Sequence, residues 1–162
     1  MPEKVVTVGM AEMKVSRQAE EKLVTKSLGS CLAVAIHDSA QGVAGLLHFV
    51  FPMRGRDDVA LPEHPTMYAA SGLPRLVRAM QALGAQGGSL SAGLAGGGAP
   101  LTPHPLFVVG DHNVRVALAI LEHLQIPVRG SDIGGCDARS FCLEVGSGRM
   151  IVLRPGAQER VL

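Results

Sequence analysis

Aromatic side chains are nearly missing from this chain: 162 residues carry no Trp, one Tyr and four Phe. Proteins that hold single-stranded nucleic acid stack its bases on such rings, so that class of function lacks its main means of recognition. An excess of one charge is missing too. Fifteen Lys and Arg stand against fourteen Asp and Glu, which leaves no general field for phosphates or membrane surfaces beyond the small Arg54-Gly55-Arg56 cluster. The three cysteines are odd in number and share no paired spacing, which fits a reducing compartment better than a disulfide framework. No apolar run is long enough for a bilayer; the longest, Val43 to Met53, is interrupted by His48. Met1 to Lys4 opens no apolar segment of the secretory kind. The expectation is a cytoplasmic protein with no nucleic-acid partner and no direct membrane insertion.

What is present is apolar. Hydrophobic residues make up 47% of the chain and charged ones 18%, the balance of a globular protein. The length suits one core, so a single domain is expected over 1–162, with its core at about 5–153. Lys4 to Val8 reads as a strand, with Met10 to Val15 as its continuation or partner. Cys31 to His37 and Val43 to Phe51 are apolar runs of strand length joined by a short turn, which predicts a hairpin with buried faces. Apolar residues at helical spacing predict a helix over Thr66 to Leu83, capped by Ser71, with Pro74 inside and Gly84 at its end. A second helix is predicted over His112 to Gln125, with Asp111 as its cap. Ser89 to Leu94, Leu106 to Val109 and Ile126 to Arg129 read as strands. Ser131 to Asp137 reads as a polar glycine turn, and Ser140 to Val145 pairs with Arg149 to Arg154 across Gly146-Ser147-Gly148. About eight strands and two main helices without strict alternation argue for an α+β fold with a mixed sheet.

The chemistry concentrates at Leu28-Gly29-Ser30-Cys31. A free cysteine at the edge of an apolar strand is by default a small core residue. Three features argue otherwise. Gly29 and Ser30 let a ligand approach the backbone closely and can aim N–H groups at an oxyanion. The hairpin carries His48 to the same open end, where an imidazole can hold the thiol as thiolate and later protonate a leaving group. Thr25 offers a hydroxyl that can orient the other ring nitrogen, which completes a generalised triad. Cys142, between Phe141 and Leu143, reads as core, and Cys136 lies in a glycine turn. A zinc site built from Cys31, Cys136, Cys142 and a histidine has no supporting CxxC or HxxxH spacing. Gly96-Gly97-Gly98 lacks the Gly-Lys-Ser/Thr ending of a phosphate loop and reads as a packed turn or substrate-facing backbone. His37, His64, His104, His112 and His123 are scattered and each alone reads as structural or solvated.

Taken in order, several fragments resemble one family, the chemoreceptor glutamine deamidases called CheD. They are Thr25-x-x-Leu28-Gly29-Ser30-Cys31, Leu47-His48-Phe49-x-x-Pro52, Tyr68 with its helix, Gly96-Gly97-Gly98-Ala99, Val109-Gly110-x-x-Asn113, and Asp132-Ile133-Gly134-Gly135-x-x-Ala138-Arg139. The resemblance runs from about Val5 to Leu153. It implies a protein-glutamine deamidase that hydrolyses side-chain amides of receptor glutamines, and glutamyl methyl esters, through a thioester. It implies Cys31, His48 and Thr25 as catalytic residues, with Gly29, Ser30, Gly97 and Gly98 as oxyanion and substrate loops, and no metal or cofactor. The implied fold is a single-domain α/β sandwich with mixed sheets and two main helices, resembling the catalytic domain of cytotoxic necrotizing factors. The implied partners are the cytoplasmic helices of chemoreceptors and a CheC-like phosphatase. Leu47 where the family often has Asn, the extra glycine at 96–98, His112 where Arg is common and Ala138 where Gly is common depart from the pattern. A binding module that docks on a phosphatase or receptor with little catalysis is the alternative expectation. A cysteine hydrolase acting on another protein's amide would share the same site.

Overall fold

A computed structural model describes residues 2–55, 64–101 and 108–162. The strands in chain order are β1 (Lys4–Thr7), β2 (Glu12–Ser16), β3 (Glu21–Leu28), β4 (Leu32–Asp38), β5 (Val43–Phe49), β6 (Leu90–Gly96), β7 (Val128–Ile133), β8 (Arg139–Glu144), β9 (Met150–Leu153) and β10 (Arg160–Val161). Two helices accompany them, α1 (Ala69–Ala82) and α2 (Val109–His123). The strands form two five-stranded sheets, ordered β1-β3-β8-β9-β10 and β2-β5-β4-β6-β7. Each is antiparallel apart from one parallel pair, β1 with β3 and β6 with β7. The architecture is therefore α+β with two mixed sheets.

Three layers result, and side-chain alternation shows why. Along β4, Leu32, Val34 and Ile36 enter the core shared with the helices, whereas Ala33 and Ala35 enter the core between the sheets. Along β5, Val43, Leu47 and Phe49 face the helices while Ala44 and Leu46 face the other sheet. Both strands are buried along their whole length, as expected for a sheet covered on each face. Small alanines on the sheet-to-sheet side leave room for Phe141, Leu143 and Met150 of the opposing sheet. Helix α1 buries Leu73, Leu76 and Met80 completely; each such side chain contributes about 1.5–3 kcal/mol relative to exposure.

Several sequence expectations need correcting. The segments at 4–8 and 10–15 do not pair: β1 joins one sheet and β2 the other, because the Gly9–Ala11 turn sends the chain across layers. Helix α1 starts at Ala69 after a 3₁₀ turn at Pro65–Met67, and Tyr68 rather than Ser71 is its N-cap. The Ser71 hydroxyl instead donates to the Pro65 carbonyl at 2.6 Å. Helix α2 starts at Val109, so Asp111 lies inside its first turn and pairs with Arg115 at 2.9 Å. Of the expected strand at 106–109, Val108 precedes the helix as its N-cap and Val109 opens it, while residues 106 and 107 lie outside the described residues. Residues 131–133 continue β7 instead of turning, because they pair with Leu94, Ala95 and Gly96. His104 also lies outside the described residues.

Candidate active site

The β4–β5 hairpin has the register expected for a shared site. His48 is opposite Ala33, and Leu32 is opposite Phe49, so Cys31 precedes the ladder by one residue on the diagonal from His48. Diagonal neighbours of this kind stand about 7–8 Å apart. Cys31 is partly buried and packs on the inter-sheet core, the layer His48 also faces. From the opposite sheet, β3 contributes Thr25, wholly buried. Its Oγ1 lies 2.7 Å from His48 Nδ1. Thr25 points inward because the alternation of β3 places Leu23 and Thr25 on the same buried face.

His48 is 3% exposed, and its Nε2 has no hydrogen-bond partner among the described residues. One ring nitrogen is thus anchored and the other is left unpaired. Burial lowers the pKa of His48 and raises that of the Cys31 thiol, which its own backbone N–H partly opposes. Both shifts favour the neutral forms, a thiol and an imidazole, where the sequence led to the expectation of a thiolate. The preformed ion pair often associated with cysteine nucleophiles is disfavoured here by desolvation.

The loop holding Cys31 is built from three stacked backbone segments. The N–H of Gly97 donates to the Cys31 carbonyl and that of Gly98 to the Gly29 carbonyl, each at 2.8 Å. The third segment follows β7: Gly134 donates to Gly96 at 3.0 Å, and Ala99 donates to Gly135 at 2.8 Å. Gly97 and Gly98 are therefore engaged as scaffolding, and their N–H groups are already spent. Packing explains the glycines. Gly97 has φ of +63°, and a Cβ there would stand 2.6 Å from Val114 of α2. A Cβ on Gly110, also in α2, would run into Gly98 and Gly97. At Gly29 the situation is different: a Cβ would meet nothing within 4 Å.

The third segment is organised by Arg139, whose side chain is fully buried. It donates to both the carbonyl and the carboxylate of Asp132, at 2.8 and 2.6 Å, and to the carbonyls of Gly134 and Asp137. Arg154 and Arg160 reach the same carboxylate at 2.6 and 3.0 Å. Burial pushes the Asp132 pKa up, but the hydrogen bonds and charges of these arginines outweigh it and hold the carboxyl below its usual value. On the far side, Asn113 of α2 donates through Nδ2 to the carbonyls of Ser30 and Val50, each at 2.9 Å. Sequence reasoning left Asn113 and the Asp132–Arg139 pair without a role. One signal was available: Asn113 is the chain's only asparagine and lies in the buried stripe of α2 with Gly110, Val114, Ala117 and Leu121.

Beside the glycine segments lies a cleft of about 420 Å³, lined by Gly97, Gly98, Val108, Asp111 and Ile133 among others. Among the described residues no group of three or more His, Cys, Asp or Glu side chains is arranged to hold a metal ion. No helix among them is long and apolar enough to cross a membrane. Cys136 is exposed and Cys142 buried. His37 is buried with Nε2 2.9 Å from the Val145 carbonyl, while His64, His112 and His123 are exposed.

Comparison with known proteins adds the following. The family model described as "CheD chemotactic sensory transduction" matches residues 51–154. A Solibacter usitatus protein named "Probable chemoreceptor glutamine deamidase CheD" is 33% identical, over 97% of this chain and 93% of its own length. Relatives of that name in Syntrophus aciditrophicus and Desulfitobacterium hafniense are 34% and 35% identical, each over 98% of their own length. Among solved structures, a Neisseria meningitidis protein of the DUF152 family shares the fold, with a TM-score of 0.52 and 12% identity. That likeness covers 83% of this chain and 64% of the other.

Proposed function

The chain belongs to the CheD family, and from that membership we propose that it is a cysteine-dependent protein-glutamine deamidase acting on the cytoplasmic helices of chemoreceptors. The observation that carries the chemistry is the Thr25–His48 contact at 2.7 Å, which leaves Nε2 unpaired in the layer where Cys31 packs. For Nε2 to accept a proton, the ring proton must sit on Nδ1 and Thr25 Oγ1 must accept it. A hydroxyl in this role fixes the ring without adding the charge a carboxylate would supply. His48 accordingly works as a weak base from its neutral form.

The steps follow from that protonation state. Cys31 Sγ attacks the carboxamide carbon as its proton passes to His48 Nε2. The carbonyl oxygen becomes an oxyanion, for which the backbone N–H groups of Ser30 and Cys31 are the available donors, since those of Gly97 and Gly98 are engaged. His48 returns the proton to the nitrogen, the C–N bond breaks, and ammonia leaves a glutamyl thioester. Water then attacks the thioester, giving its proton to His48. The C–S bond breaks, His48 reprotonates sulfur, and glutamate is released. No step requires a metal or organic cofactor. A glutamyl methyl ester would follow the same path with methanol as the leaving group. Family membership further suggests docking of a CheC-like phosphatase, a cytoplasmic location and kinship with the catalytic domain of cytotoxic necrotizing factors.

The test is ammonia release from a receptor cytoplasmic fragment, with mass spectrometry of the Gln→Glu change. Cys31→Ala and His48→Ala are expected to lower kcat by at least about 10³-fold. Wild-type activity in Cys31→Ala would overturn the mechanism. Unmodified glutamines alongside measurable phosphatase or receptor binding would favour a docking module instead. Slow alkylation of Cys31 at neutral pH does not separate the two, because burial raises the thiol pKa and slows alkylation in either case.

A further inference from the structure

The proposed site is divided between two segments that are not covalently close. Cys31 sits on the loop at 29–31 and His48 near the end of β5. One side chain spans them. Asn113 Nδ2 donates to Ser30, which immediately precedes the nucleophile, and to Val50, two residues beyond the histidine, both at 2.9 Å. Because carbonyls only accept, the orientation of the amide is set: its nitrogen must face the two oxygens. Its Oδ1 is buried with no partner among the described residues, a desolvation cost that the two donated bonds must offset. An apolar residue in this stripe of α2 would avoid that cost but leave both carbonyls unpaired.

The helix itself is held in place for this task. Gly110 and Val114, three residues before and one after Asn113, abut the Gly97–Gly98 segment, which in turn bonds the carbonyls of Gly29 and Cys31. Helix α2 thus grips the nucleophile loop twice, once through the glycine segment and once directly. Only the direct grip also reaches the histidine strand.

We propose that Asn113 is a positioning residue that clamps the Cys31 loop to the end of β5 and so sets the approach of Cys31 to His48. The proposal rests on the deamidase assignment for its consequence in catalysis, but the clamp can be measured without it. A misplacement of about 1 Å between reacting groups can cost about 100-fold in rate. Asn113→Leu keeps nearly the same size, adds no charge beside Cys31 and removes both donors. Its kcat on a receptor fragment is expected to fall about 100-fold with KM within about threefold of wild type. In parallel, the pH dependence of Cys31 alkylation by iodoacetamide, read on the Cys31 peptide by mass spectrometry, is expected to move down. Loosening the loop hydrates the thiol, and a fall of one pKa unit gives about tenfold more thiolate at pH 8.

A kcat per folded molecule equal to wild type would overturn the proposal. So would a loss that tracks the unfolded fraction, or a loss of kcat with an unchanged alkylation profile. Should the leucine prevent folding, Asn113→Ala removes the donors with a smaller side chain. For the wild-type protein, selective ¹⁵N labelling of asparagine yields a single side-chain amide, whose slow hydrogen exchange is expected and whose rapid exchange would overturn the clamp. If Cys31→Ala kept activity, the deamidase mechanism would fall, and the alkylation and exchange results would still decide the clamp.

Discussion

His48 and Cys31 carry pKa shifts that push in opposite directions from their ordinary values and toward the same outcome. Burial holds the imidazole below its usual value of about 6.5 and the thiol above its usual value of about 8.5. For a base acting from its neutral form, the acid limb of kcat/KM is expected below about pH 6.5 and the alkaline limb above about 8.5, giving a broad plateau. An acid limb at or above 6.5, measured with the receptor fragment, would contradict it. The same shift has a sign for stability. Unfolded His48 takes up a proton as pH falls through about 6.5 while the folded form stays neutral, so the unfolded state binds more protons in that window. Stability is therefore lost as pH drops from about 6.5 toward the folded pKa, and His48→Gln is expected to flatten that dependence in denaturant titrations.

At the scale of elements, the site depends on glycine segments whose members do different work. Gly97 and Gly110 are small because α2 and the segment at 96–98 pack in direct contact. Gly29 has neither a positive φ nor a neighbour that a Cβ would strike. Replacing it with alanine should leave thermal stability unchanged or raise it by about 0.4–1 kcal/mol through the unfolded state. If substrate backbone passes over this turn, Gly29→Ala should raise KM while the melting temperature holds. An unaltered KM would place the substrate elsewhere. The hairpin at β4–β5 was legible because two continuous apolar runs with a short turn have few alternatives. The helix starts were not: Ser71 and Asp111 have good capping chemistry, but Pro65–Met67 and the docking of Gly110 on the glycine segment decide where each helix begins.

For the whole molecule, Asp132 and its arginines tie the two sheets together. Asp132 is on β7 of one sheet, whereas Arg139, Arg154 and Arg160 come from β8, the end of β9 and β10 of the other. Arg139 is the buried member, and its removal takes from the Asp132 carboxylate its one fully buried partner and leaves the carbonyls of Asp132, Gly134 and Asp137 without that donor. Arg139→Leu is expected to destabilise by about 3–5 kcal/mol in urea titrations, with activity per folded molecule also reduced because the segment at 134–137 loses its anchor. A change below about 1 kcal/mol would mean that Arg154 and Arg160 compensate fully.

Local patterning by itself determined the α+β class, the hairpin that aligns Cys31 with His48, and the two helical stretches, since each follows from the period and length of apolar runs. The proposed triad and the family came from short fragments recognisable in order along the chain. Only tertiary structure decided which sheet each strand joins, and hence that Thr25 reaches His48 across the inter-sheet core and not along one sheet. It also decided that Gly97 and Gly98 spend their N–H groups as scaffolding, and that burial shifts the thiol and the imidazole toward their neutral forms. The reason is physical: partners more than twenty residues apart, and the desolvation they impose, depend on how layers stack. The spacing of residues along the chain carries no record of that stacking.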